Sequence, residues 1–174
     1  EVVCTNLLNN HHISGIICNF LDVTEIKKQQ LEIQKMAYED DLTGLPNLRA
    51  YETRLDEVIN AAENQKYAII HLNLDGFRFL MYLMGRDMAN KLLVKIAAQI
   101  QSNLDFFIHI LARINEDEFA ILTTEIHKTA LIEQLANDIL QIFKRSFNVN
   151  SYNLAITIRI GISIYPESGK TISI

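Results

Sequence analysis

Hydrophobic and polar positions along this chain switch between a two-residue rhythm and a helical one, and the switches mark its elements. Residues 67–74 form a nearly unbroken apolar run, and residues 154–165 alternate, so both predict strands. Residues 108–114 and 119–122 predict two more strands, with the acidic tip Asn115-Glu116-Asp117-Glu118 between them. That layout is a hairpin carrying carboxylates at its turn. Helical spacing covers residues 48–62, where Tyr51, Leu55, Val58 and Ile59 share a face, and also residues 77–84, 87–104 and 129–147. The order predicts an α/β fold, with helices on both faces of a central mixed β-sheet.

The first 39 residues read differently. Residues 2–8 and 13–20 are apolar runs around Asn9-Asn10-His11-His12, the pattern of a hairpin and its turn. A charged helix follows over residues 25–39, with Thr24 or Asp22 as its cap. Val23, Ile26, Gln30, Ile33 and Ala37 recur at steps of three and four, which suits a short coiled-coil seam or an ordinary amphipathic helix. An isolated two-stranded hairpin is marginal in water, so a larger N-terminal domain is expected around it.

Composition narrows the function classes. The chain has 174 residues, 49% of them hydrophobic, which is enough for one domain with a core plus an extension. A net charge of −5 gives no footprint for DNA or RNA. No apolar run reaches the roughly 18 residues of a membrane span, so no membrane contact and a cytoplasmic location are expected. Cys4 and Cys18 have neither CxxC nor zinc spacing and read as reduced thiols. His11, His12, His71 and His127 show no ligand spacing and read as solvated or locally bonded.

Several blocks of residues 40–167 recur in the order of a known family. They are Asp41-Leu-Thr-Gly-Leu-Pro-Asn47, Asn73-Leu-Asp-Gly-Phe77 with Arg78, Arg113-Ile-Asn-Glu-Asp-Glu-Phe119 and Gly161-Ile-Ser-Ile-Tyr-Pro166. Together they resemble the GGDEF domain, the diguanylate cyclase family of bacterial signalling. Upstream, Gly15-Ile-Ile-Cys-Asn-Phe-Leu-Asp-Val-Thr-Glu25 resembles the end of a PAS sensor domain running into a signalling helix. The expected organisation is a PAS-like fragment at 1–22, a linker helix at 23–39 and a degenerate GGDEF domain at 40–174. That domain would lack the C-terminal helix and hairpin that family members carry.

The resemblance implies a site, and this chain departs from it at several positions. Family members hold Mg2+ with residues that align with Asn73, Leu74 and Asp117, and Asn73 replaces a carboxylate. Two hairpin glycines that admit the phosphates align with Asn115 and Glu116. Glu116 adds a negative charge there, unless a metal recruits it as a ligand. The resemblance further makes Asp117 and Glu118 vestigial catalytic residues, and assigns Phe77 and Arg78 to the nucleotide. The guanine-reading positions align with Met81 and Asn90, and Asn90 cannot accept from two guanine N–H groups as a carboxylate does. The inhibitory Arg-x-x-Asp aligns with Phe106 and His109, so product binding there is expected to be lost. Asp41 is expected to pair with Arg113 as a structural link.

Three classes of function follow from these residues. The first is a catalytically silent regulatory domain in cyclic di-GMP signalling, next to PAS and EAL phosphodiesterase domains. The second is an active cyclase using weakly held Mg2+ to join two GTP. The third is a sensor of GTP or another nucleotide. A homodimer through the residue 23–37 helix is an accompanying expectation.

Overall fold

The computed structural model describes residues 2–9, 12, 14–61, 65–104, 108–123, 126 and 130–169. The chain divides into two compact units, Glu1–Met36 and Ala37–Ile174. In the first, β1 (Val2–Leu7) and β2 (Gly15–Phe20) pair antiparallel, and α1 (Thr24–Tyr38) follows. The Asp22 carboxylate accepts the Thr24 N–H at 2.9 Å, so Asp22 rather than Thr24 supplies the capping side chain. No residue of α1 is buried, and Ile26, Leu31, Ile33 and Met36 are exposed.

The cysteines correct the sequence reading. Cys4 lies directly opposite Cys18 in the hairpin register, with Cα atoms 4.1 Å apart, and the two form a disulfide rather than free thiols. Strand pairing, not a sequence motif, makes these residues neighbours across a separation of 14.

The second unit is built on one four-stranded sheet, ordered β4-β5-β3-β8. Its strands are β3 (Tyr67–Asp75), β4 (Ile108–Asn115), β5 (Glu118–Thr123) and β8 (Thr157–Tyr165). Each of its pairings is antiparallel, where a mixed sheet was expected. Alternation along β3 buries Ala68, Ile70, Leu72 and Leu74 on one face. That face packs against α3 (Phe77–Met84), α4 (Arg86–Leu104) and α5 (Ala130–Phe143), through Phe77, Leu92, Ile96, Leu135 and Ile139. On the opposite face, α2 (Leu48–Ala61) sets Tyr51, Leu55 and Val58 against Ala112, Ala120 and Leu122. Central β5 is covered on both sides, so Phe119, Ala120, Ile121 and Leu122 are all buried.

Helical periodicity overran the chain at one place. α5 ends at Phe143, and Phe147 opens β6 (Phe147–Val149), which pairs with β7 (Tyr152–Leu154). Asn150 and Ser151 turn this hairpin with φ of 48° and 69°, both in the left-handed region that a two-residue turn requires. The long strand expected over residues 154–165 therefore begins only at Thr157, as β8, and Leu154 instead closes β7.

A clamp ties the loop before α2 to the sheet. Arg113 Nη1 donates to Asp40 Oδ1 at 3.1 Å and to Oδ2 at 3.0 Å, and the Arg113 N–H donates to the Pro46 carbonyl at 2.9 Å. Asp40 Oδ1 also accepts the Thr43 N–H and hydroxyl at 2.8 and 2.6 Å. The partner of Arg113 is thus Asp40, not Asp41, whose side chain is exposed. The turn explains the change: one carboxylate closes it onto Thr43 and faces Arg113, and the next residue is carried outward. Asn47 then caps α2, its Oδ1 accepting the Ala50 N–H at 3.0 Å.

Both clamp side chains are mostly buried, Arg113 at 12% and Asp40 at 21% exposure, so removing one leaves a poorly solvated charge. Urea unfolding of Asp40→Ala is expected to show a loss of about 2–4 kcal/mol. Asp41→Ala should stay within about 0.5 kcal/mol of the parent. Equal losses for the two variants would reject this assignment.

Candidate functional site

The site forms where β3 ends beside the β4–β5 turn. The Leu74 N–H donates to the Asp117 carbonyl at 2.9 Å, which fastens the hairpin tip to β3. Arg113 Nη2 donates to the Glu116 carbonyl at 2.9 Å, so the guanidinium that holds Asp40 also fixes the backbone at the tip. The Asn115 side-chain oxygen accepts the Glu116 N–H at 2.9 Å, closing the turn locally. Gly76, at φ 71°, lets the chain leave β3 and enter α3 immediately.

Glu118 is the hub of the polar side chains. It faces Asn73 across the β3–β5 register, and Asn73 Nδ2 donates to its Oε1 at 3.1 Å. Asn115 Nδ2 lies 3.5 Å from Oε2, at the limit of a hydrogen bond, and His71 Nε2 lies 3.7 Å from the same oxygen. Asn73 therefore turns an amide N–H toward this carboxylate. On the other side, Asp75 Oδ1 accepts from Arg159 Nε at 2.5 Å. The surroundings of Asp75 thus differ from those of Asn73, although both lie on β3.

Two cavities adjoin this frame. One of about 610 Å³ is lined by Asn73, Leu74, Phe77, Arg78, Asp117 and Glu118, together with His71 and Arg159. The other, about 560 Å³, brings Met81, Asn90 and Glu116 together with Phe77, Arg78, Arg86 and Arg113. Phe77 and Arg78 line both. Most of the sequence-derived residues thus gather in one region. Asn115 lines neither cavity and is turned toward Glu118. Met81 both packs on the core and lines the second cavity.

Sequence reasoning missed Arg159 and His71. Arg159 sits opposite Asn73 in the β3–β8 register, and His71 shares the face of Asn73 two residues earlier. Alternation could have placed His71 on that face, but only strand pairing reveals Arg159. Of the two residues aligned with an inhibitory motif, Phe106 lies outside the described residues. His109 lines a separate depression with Tyr38, Arg54 and Glu57. Its Nε2 is buried and has no hydrogen-bond partner among the described residues.

The family model described as "Diguanylate cyclase, GGDEF domain" matches residues 37–174. The cyclic di-GMP phosphodiesterase PdeR of Escherichia coli is 32% identical over 89% of this chain and 23% of its own length. The signalling protein YkoW of Bacillus subtilis is 32% identical over 92% of this chain and 20% of its own. The chain therefore spans less than a quarter of the length of these relatives. Among solved structures, a GGDEF-only form of PA1120 (TpbB or YfiN) from Pseudomonas aeruginosa superposes with a TM-score of 0.71 at 26% identity, covering 77% of this chain and 79% of that one. A sensory box/GGDEF protein from Caulobacter crescentus gives 0.70 at 28% identity, covering 78% and 88%.

Acid reads the clamp and the His109 imidazole in separate windows. Burial pushes the Asp40 carboxyl up, but hydrogen bonds from Thr43 and the Arg113 guanidinium more than offset this and hold it below the usual 3.8. Its contribution is complete above that value and is lost as the pH falls through the lowered one. Burial, then Arg54, push His109 below 6.5, with Glu57 opposing. The unfolded chain takes up that proton first, so stability should begin to fall as the pH drops below 6.5. Urea midpoints of His109→Leu, measured from about pH 8 to about pH 3, should lose this limb while keeping the steeper fall below about pH 4. A variant profile parallel to the parent's over that range would refute the role given to His109.

Proposed function

The chain belongs to the GGDEF family, and on that premise we propose that this domain serves cyclic di-GMP signalling as a regulatory copy that does not turn over GTP. One observation carries the reading: Asn73, at a position where the family has a carboxylate, commits its amide N–H to Glu118. When bound, Mg2+ supplies the positive charge that draws polyphosphate oxygens into place. Of the three aligned positions, only Asp117 offers a carboxylate, beside the neutral Asn73 and the Leu74 carbonyl. Among the described residues no three His, Cys, Asp or Glu side chains converge on one point. That donor set fits a divalent cation poorly.

Glu116 supports the same reading. It lines the cavity with Met81 and Asn90, at a hairpin position where a glycine would leave room for phosphate. A like-charge contact at about 4 Å costs roughly 1 kcal/mol in water and about 4 kcal/mol at an effective dielectric of 20. Arg78 and Arg86 offset part of this repulsion but do not remove the carboxylate. The scaffold is intact while the charge balance disfavours GTP with its metal, which suits a relay or nucleotide-sensing role.

In the intact protein we place this domain after a PAS-type sensor, with residues 1–22 as its last strands, and ahead of an EAL phosphodiesterase domain, in the cytoplasm. Relatives named as cyclic di-GMP phosphodiesterases support that arrangement. The exposed Ile26 and Ile33 of α1 support a homodimer through this helix.

Calorimetry of Mg·GTP against the protein, with analysis of the mixture for cyclic di-GMP, tests the proposal. No product is expected, and GTP affinity should rise at least tenfold in Asn73→Asp/Glu116→Gly, about 1.4 kcal/mol. Cyclic di-GMP formed by the parent protein would overturn it.

A further inference from the structure

The cavity beside α3 and α4 has its own chemistry. Asn90 is half-buried there, and its amide has no partner among the described residues. Met81 and Leu93 give the cavity an apolar wall, and at about 560 Å³ it is large enough for a purine. Arg78 and Arg86 stand exposed at the same cavity, with no ion pair among the described residues. A free amide, an apolar wall and two unpaired guanidinium groups describe a place for a flat heterocycle carrying phosphate.

We infer that this cavity binds an adenine nucleotide in preference to a guanine nucleotide. The inference rests on the regulatory reading above and names the ligand of that site. An Asn amide offers one acceptor and one donor side, and adenine's edge returns one donor and one adjacent acceptor. The carbon beside that acceptor bears only hydrogen, which suits the Met81 thioether. Guanine can also exchange two hydrogen bonds with an amide, but its exocyclic amine is then left over. Met81 provides only a weak sulfur acceptor for that amine. A polar group buried against such a wall without a partner is what separates the two bases. Arg78 and Arg86 meet the phosphate, while Glu116 disfavours a long phosphate chain.

Calorimetry with AMP, ATP, GMP and GTP, without added metal, reads the preference directly. AMP should bind at least tenfold tighter than GMP, and ATP tighter than GTP. Asn90→Asp, which presents two acceptors, should reverse the order, and circular dichroism checks that it remains folded. Equal or tighter guanine binding by the parent protein, or no binding of any of the four, overturns the inference. Its failure differs from failure of the regulatory reading, which is decided by cyclic di-GMP production and not by the affinity ratio.

Discussion

One guanidinium organises the second unit. Arg113 sits near the end of β4, an outer strand of the sheet, grips the Asp40 carboxylate with one nitrogen and holds the Glu116 carbonyl with another. The loop that launches α2 and the turn that carries the acidic tip are therefore fixed by the same side chain. A planar fork of donors suits this task, since a lysine ammonium could not reach two acceptors with fixed geometry. Because the clamp works through the backbone at the tip, it keeps the turn in place whatever side chains the tip carries.

That independence leaves the scaffold insensitive to which polar side chains stand at the site. The apolar faces of β3 and β5, together with α2, α4 and α5, bury the residues that hold the sheet, and none of those contacts needs Asn73 or Glu116. The polar face has reached its own local balance. Glu118 accepts from Asn73, and Asp75 from Arg159, so two carboxylates beside the cavity are already engaged within the protein. A ligand bearing several negative charges would have to displace these contacts as well as face Glu116.

Much of this was legible in the sequence because it depends on local rhythm. A nearly unbroken apolar run marked β3, and apolar runs flanking four polar residues marked the β4–β5 hairpin. The gathering of Met81, Asn90 and Glu116 followed from the resemblance and not from spacing. What stayed hidden depends on register. Cys4 meets Cys18, and Arg159 faces Asn73, only because particular strands pair at particular offsets. The Asp40–Asp41 ambiguity is of the same kind, since neighbouring carboxylates look alike until the turn decides which one faces inward. The β6–β7 hairpin escaped because Asn150-Ser151 lacks the glycine that usually announces a two-residue turn, and α5's apolar spacing continued past its end.

Binding and turnover make different demands on a site of this shape. Asn73 brings no charge to the site, yet the cavities, the arginines and the half-buried amide of Asn90 stand beside it. Binding needs only complementarity in the ground state, whereas turnover also needs charge placed where it develops in the transition state. A domain of this shape therefore loses chemistry more easily than recognition. The cavity around Met81 and Asn90 is held by core packing and by the Arg113 clamp, and Asn73 and Leu74 are held by the pairing of β3 with its two neighbouring strands. Polar side chains at the end of β3 and at the β4–β5 turn can therefore vary without disturbing the buried contacts, and the cavity around Asn90 keeps its shape when they do.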